Sequence, residues 1–157
     1  MKQDRFLTGI LIGIGLLIVL ALALFFTRQD QREYLPDGTP EGVVHNYVLA
    51  ILNQEYQKAY GYLADIEHKP SYDEFRRSFF NGMVNPGNTG LDVGTAEIHD
   101  DEAVVTLTLF YSYRDPFSSG YESMDRALLV EQDGNWKLSS MPYNFWDYSW
   151  YQEPYKP

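Results

Sequence analysis

The sequence predicts an α+β domain preceded by a transmembrane helix, and three observations support that class. The stretch from Phe6 to Phe26 reads FLTGILIGIGLLIVLALALFF, uncharged, with Thr8 as its one polar side chain. Between Thr39 and Gly82 the apolar residues recur at helical spacing. Between Leu91 and Met141 they alternate with polar ones at the period of a strand. Helices first and an antiparallel meander afterwards argue for helices packed on one face of a curved sheet.

At a rise of about 1.5 Å per residue, the 6–26 run is about 30 Å long, the thickness of a bilayer's hydrocarbon core. It reads as a single span with an uncleaved anchor. A cleaved signal peptide is the alternative, since Lys2 and Arg5 give a basic start and Ala21-Leu22-Ala23 has a small-x-small form. Lys2 and Arg5 precede the run and Arg28 and Arg32 follow it, so the positive-inside count nearly ties. The short basic head, residues 1–5, favours a domain on the extracytoplasmic side of a cell membrane. Within the run, Gly9 and Gly13 form a GxxxG pair with Gly15 nearby, a spacing that lets helix backbones approach in lipid. With no cysteine in the chain, disulfides, thiolate metal sites and a thiol-linked lipid are excluded.

Residues 27–38 are polar, end in Pro36-Asp37-Gly38, and read as a linker. From Tyr34 onward there are 19 acidic and 8 basic residues, a formal charge of −11. Such a surface repels phosphate backbones, which excludes nucleic acid as a partner.

The domain, residues 39–141, opens with Thr39 as an N-cap, Pro40 at the first helical position and Glu41 complementing the helix dipole. Val44, Tyr47, Val48, Ile51 and Leu52 give that helix an apolar face. Asn53-Gln54 interrupts, and a short helix follows through Tyr56, Ala59, Tyr60 and Leu63. A third begins at Ser71, where Ser71 to Glu74 has the form of a capping box. It presents Phe75, Phe79 and Phe80 and stops at Asn81-Gly82.

Asn85-Pro86-Gly87-Asn88 is turn chemistry. Strands follow over Leu91–Ile98, Ala103–Tyr113, Tyr121–Glu131 and Trp136 to about Met141. His99-Asp100-Asp101 and Asp133-Gly134-Asn135 form the hairpin tips, and residues 115–120 form a loop. In the second strand Ala103, Val105, Leu107, Leu109, Tyr111 and Tyr113 share a face. Residues 142–157 form an aromatic tail, with seven aromatic residues between Tyr143 and Tyr155. A disordered tail is aromatic-poor, so these rings are expected to bury themselves against something. Its own sheet, a partner protein and the bilayer interface are the three destinations. Tyr143, Phe145, Trp146, Trp150 and Tyr151 are the candidate partner contacts.

The stretch Thr39-Pro40-Glu41-Gly42-Val43-Val44, leading through Tyr47 and Leu52 to Glu55-Tyr56-Gln57-Lys58-Ala59-Tyr60, resembles the opening helix pair of nuclear-transport-factor-2-like domains. Asp133-Gly134-Asn135-Trp136-Lys137-Leu138 is similar to the final hairpin of that cystatin-like superfold. The resemblance covers Thr39 to Met141 and is strongest to membrane-anchored, extracytoplasmic members of unknown function. More loosely it includes the small module preceding the catalytic domain in some penicillin-binding proteins. It implies a cone, in which a bent sheet wraps the first helix and can enclose an apolar pocket. Some members are isomerases or dehydratases with an acid or a His–Asp pair in the cone.

No catalytic, cofactor or metal site is expected. Asp65, Glu67, Asp73, Glu74, Asp100, Asp101 and Glu102 fall at turns and caps. Asp125 and Glu131 share a face with Ala127 and Leu129 and are the remaining acid–base candidates. His45, His68 and His99 are scattered without ligand spacing. Asp100-Asp101-Glu102 lacks the alternating oxygens and Gly of a calcium loop. The sequence therefore reads as a non-enzymatic, membrane-anchored accessory or scaffolding subunit engaging a membrane or cell-envelope protein. An apolar small-molecule ligand in the cone pocket, or an enzyme built on it, is the alternative.

Overall fold

A computed structural model describes residues 5–27, 33–87, 89–111 and 120–153, with side chains of the first helix described over 8–23. It divides into two compact units, Met1–Glu33 and Tyr34–Pro157. The described residues form four helices and one four-stranded antiparallel sheet, an α+β arrangement.

The first unit holds α1 (Arg5–Thr27). Among the described residues no helix is long and apolar enough to cross a membrane. That finding corrects the span expected over 6–26, the single-pass reading, the localisation to a membrane with an extracytoplasmic domain, and the integral membrane partnership.

In the second unit, α2 (Pro40–Leu52) is the central helix. Thr39 adopts extended backbone and its Oγ1 accepts a hydrogen bond from the Gly42 amide at 3.1 Å. Gly42 has a steric reason: a Cβ there would lie 2.3 Å from the Pro36 carbonyl oxygen. The expected apolar face is only part of what α2 buries. Residues 42–44 and 46–51 are all buried, while Leu52 is exposed. The buried Asn46 explains the second covered side, because its amide accepts from the Leu35 amide at 2.8 Å and donates to the Leu35 carbonyl at 2.6 Å. Residues 34–37 thus dock on α2 instead of running free as a linker.

Short α3 (Tyr56–Gly61) leads to α4 (Tyr72–Phe80), where Ser71 and Glu74 complete a reciprocal capping box. Phe75 is buried and Phe79 half-buried, but Phe80, expected to face the core, is exposed. Strands β1 (Thr89–His99), β2 (Glu102–Tyr111), β3 (Tyr121–Gln132) and β4 (Asn135–Ser140) pair in sequence order. The β3–β4 turn places Asp133 and Gly134 at φ 52° and 75°, the left-handed geometry that an Asp-Gly hairpin supplies at low cost.

Both sheet edges are managed. Beyond β4, Leu63 forms a parallel bridge to Leu138. At β1 the register slips between Val93 and Ala96, and the Ala96 amide donates to Glu41 Oε1 of α2 at 2.9 Å. A bulge and a helix-borne carboxylate thereby blunt an edge that would otherwise template another strand. The inner face of the sheet (Ala103, Val105, Leu107, Leu109, Ala127, Leu129, Leu138) packs with α2 and Phe75 into one core.

Candidate binding surfaces

The aromatic segment after Met141 completes that core. Phe145, Trp146 and Trp150 are buried, Tyr151 is half-buried, and Tyr143 and Tyr148 are exposed. Tyr47, fully buried at the centre of α2, donates its hydroxyl to the Phe145 carbonyl at 2.8 Å. Burial pushes the Tyr47 hydroxyl well above its usual pKa, so it remains a donor. Trp150 meets Phe75 at 4.9 Å and Trp146 at 5.0 Å between ring centroids, and Tyr151 Oη donates to the Ala64 carbonyl at 2.7 Å. Asn144 bridges the sheet, accepting from Tyr111 Oη and donating to Thr89 Oγ1. Of the five candidate partner contacts, only Tyr143 is exposed. Tyr155 lies outside the described residues.

The interior is therefore occupied by the protein's own rings, and no buried side-chain nitrogen or oxygen among the described residues lacks a hydrogen bond. The remaining concavities lie at the surface. One, about 510 Å³, opens between α4 and the C-terminal segment over Ser78, Asp147 and Trp150. Asp147 is 7% exposed; its Oδ2 accepts from Ser78 Oγ at 2.6 Å and its Oδ1 from the Ser149 amide at 2.9 Å. Burial alone would raise this carboxyl, but the hydrogen bonds from Ser78 and Ser149 outweigh it and hold the group below its usual range. Trp150 Nε1 donates to the same Ser78 oxygen at 3.2 Å.

The second surface is the outer face of the sheet. Val104, Thr106, Thr108 and Phe110 of β2 point outward beside Glu122, Met124, Arg126 and Leu128 of β3. Met124 is 78% exposed, Phe110 38% and Leu128 39%. Phe110 lies over Gly90 of β1, where a Cβ would come within 3.4 Å of the Phe110 Cβ. Asp92 and Glu97 of β1 share this face, opposite Thr108 and Val104. The result is an apolar row framed by Asp92, Glu97, Glu102 and Glu122, with Arg126 as the cation within it.

The residues weighed for chemistry do not converge. Asp125 and Glu131 are exposed on β3, and Asp100, Asp101 and Glu102 are exposed at the β1–β2 tip. No group of three or more metal-ligating side chains occurs among the described residues. Around Gly9 and Gly13 of α1 a Cβ would meet nothing within 4 Å. Sequence reasoning assigns Asp147 no role; its partner Ser78 lies 69 residues away, so no local pattern could show the pairing.

No family model and no curated protein matches this chain. Among solved structures, it is similar to a SEC-C motif containing protein from Rhodopseudomonas palustris, with 12% identity, 68% of this chain and 79% of that chain covered, and a TM-score of 0.48. It is also similar to a putative calcium/calmodulin dependent protein kinase II association domain from Xanthomonas campestris, with 15% identity, 70% and 97% coverage, and a TM-score of 0.28. At such values neither likeness assigns a function. The resemblance to nuclear-transport-factor-2-like domains on a membrane anchor is corrected in its anchor, since no described helix is long and apolar enough to cross a membrane, and no family model supports the rest of it.

Proposed function

We propose that this chain is a non-enzymatic accessory or scaffolding module that engages a partner protein through the outer face of its sheet. The observation that carries the reading is the exposed row of Phe110, Met124 and Leu128 inside an acidic frame. Exposed apolar side chains set among charged ones are a usual form of protein docking surface. The frame of Asp92, Glu97, Glu102 and Glu122 selects a partner with an apolar centre and a lysine- or arginine-bearing rim. It also disfavours a second copy, because the chain carries a formal charge of −10.

The state of the buried carboxylate supports the non-enzymatic reading. Proton transfer needs a group whose pKa is tuned toward neutrality inside a water-poor pocket, and the buried carboxylate here, Asp147, is shifted away from neutrality. An apolar ligand in the interior loses support because Tyr47, Phe145, Leu107 and Leu109 fill that space.

The test compares the full chain with a Phe110→Ser/Met124→Asp variant. Both positions are outward, so the thermal transition should stay within about 1 kcal/mol of the parent. A partner retained by the parent should be lost by the variant, and should dissociate as salt rises because its basic rim is screened. Equal retention by the two chains, or retention indifferent to salt, contradicts the reading.

A further inference from the structure

On the outer face of the sheet the apolar side chains fall on the two central strands. Phe110 of β2 and Met124 of β3 mark one end of the row, and Val104, Leu128 and Val130 mark the other. Between the ends stand Thr106 and Arg126, directly opposite each other. The flanking strands turn polar residues to the same face: Asp92 and Glu97 on β1, Lys137 and Ser140 on β4. Lys137 Nζ already donates to the Gly61 carbonyl at 2.7 Å.

These placements fix the dimensions of the row. Two strands ~4.8 Å apart, with their side chains, make a stripe about 10 Å wide. From Phe110 to Val104 the stripe runs about 20 Å at ~3.4 Å per residue. An α-helix is about 10 Å across, and ~14 residues of it cover ~20 Å. A second sheet packed face to face is wider and would bury the carboxylates of Asp92 and Glu97. A partner strand cannot add by backbone pairing, because β2 and β3 each have a neighbour on both sides. The opposite face of the sheet is covered in the same manner, by the helix α2. Charge sets the rest. Arg126 is exposed and forms no ion pair among the described residues. Covering its guanidinium unpaired is costly, so the covering helix needs an acid at its middle. Asp92 and Glu97 border one long side of the stripe and call for lysine or arginine there.

We infer that the partner docks with one amphipathic α-helix of about 14 residues, laid along β2 and β3. The helix carries apolar residues toward both ends, an acid between them for Arg126, and basic residues along the β1 side. This rests on the outer face being the docking surface, and names the element that the face receives.

The test selects ligands for the full chain from two displayed peptide libraries, one of helices of about 14 residues and one of disulfide-closed β-hairpins. Only binders that the Phe110→Ser/Met124→Asp variant fails to hold are kept. The helix library should supply them, with an acid between two apolar ends and lysine or arginine on one flank. A synthetic copy should gain helical circular dichroism on mixing with the parent and shift the Met124 methyl resonance. Arg126→Glu, at an exposed position, should weaken that peptide at least tenfold, and selection repeated on Arg126→Glu should exchange the central acid for lysine or arginine. Kept binders from the hairpin library alone, or helical binders indifferent to Arg126→Glu, overturn the inference and leave the docking face standing. Absence of kept binders from both libraries overturns the docking face as well.

Discussion

Ser78 Oγ joins α4 to the C-terminal segment with one atom. It donates to the Asp147 carboxylate, approaches the Glu74 carbonyl within its own helix, and accepts from the Trp150 indole. Ser78→Ala leaves a buried carboxylate and an indole N–H short of a partner, each costly to desolvate. Stability should fall by about 1–3 kcal/mol in urea unfolding. The pH dependence follows from the sign of the Asp147 shift. Its folded value lies below the unfolded one of about 3.9, so the folded state binds fewer protons and stability rises with pH. The contribution is complete above the unfolded value and disappears as pH falls through the folded value. Below pH about 4 the parent should therefore lose stability more steeply than Asp147→Asn; coincident acid limbs would show that Asp147 gains nothing from its hydrogen bonds. None of this was legible in the sequence, because Ser78 and Asp147 meet only once helix and tail are packed. The Ser71–Glu74 box was legible, since both of its partners lie within one turn.

At the level of elements, local chemistry carried the reading as far as local chemistry acts. Thr39, Pro40 and Ser71 mark helix starts, and Asp133-Gly134 marks a hairpin, each through bonds or dihedrals spanning four residues or fewer. Strand alternation located the sheet because one face is buried and the other is not. Two features depend on contacts distant in sequence and were missed: the covering of α2 by residues 34–37, and the exposure of Phe80 on a helix whose other aromatics pack. The aromatic tail falls between these cases. Its composition demanded burial, but the destination was set by Tyr47, Phe75 and Ala64, far upstream. Truncation after Met141 removes three buried rings worth about 1.5–3 kcal/mol each, comparable to the whole ~5–15 kcal/mol stability of a domain. The truncated chain should lose its cooperative thermal transition by calorimetry. A shortened chain that melts like the parent would contradict the packing of Phe145, Trp146 and Trp150.

For the molecule as a whole, the hydropathy of 6–26 dominated the sequence reading and led it toward a membrane, whereas no described helix is long and apolar enough to cross one. What organises the second unit is the closing of its interior by its own C-terminal rings, which leaves the surface for function. The outer sheet face is acidic at its frame and apolar along its centre, and the Asp147 cleft is distinct from it. The most direct measurement is site-specific photo-crosslinking in living cells, with the photoreactive residue placed in turn at Met124, Phe110, Phe80 and Tyr148. All four are exposed, so only the docking surface distinguishes them. The account predicts one discrete crosslinked polypeptide from Met124 and Phe110 and none from Phe80 or Tyr148; crosslinks from Phe80 or Tyr148 with Met124 and Phe110 silent would contradict it.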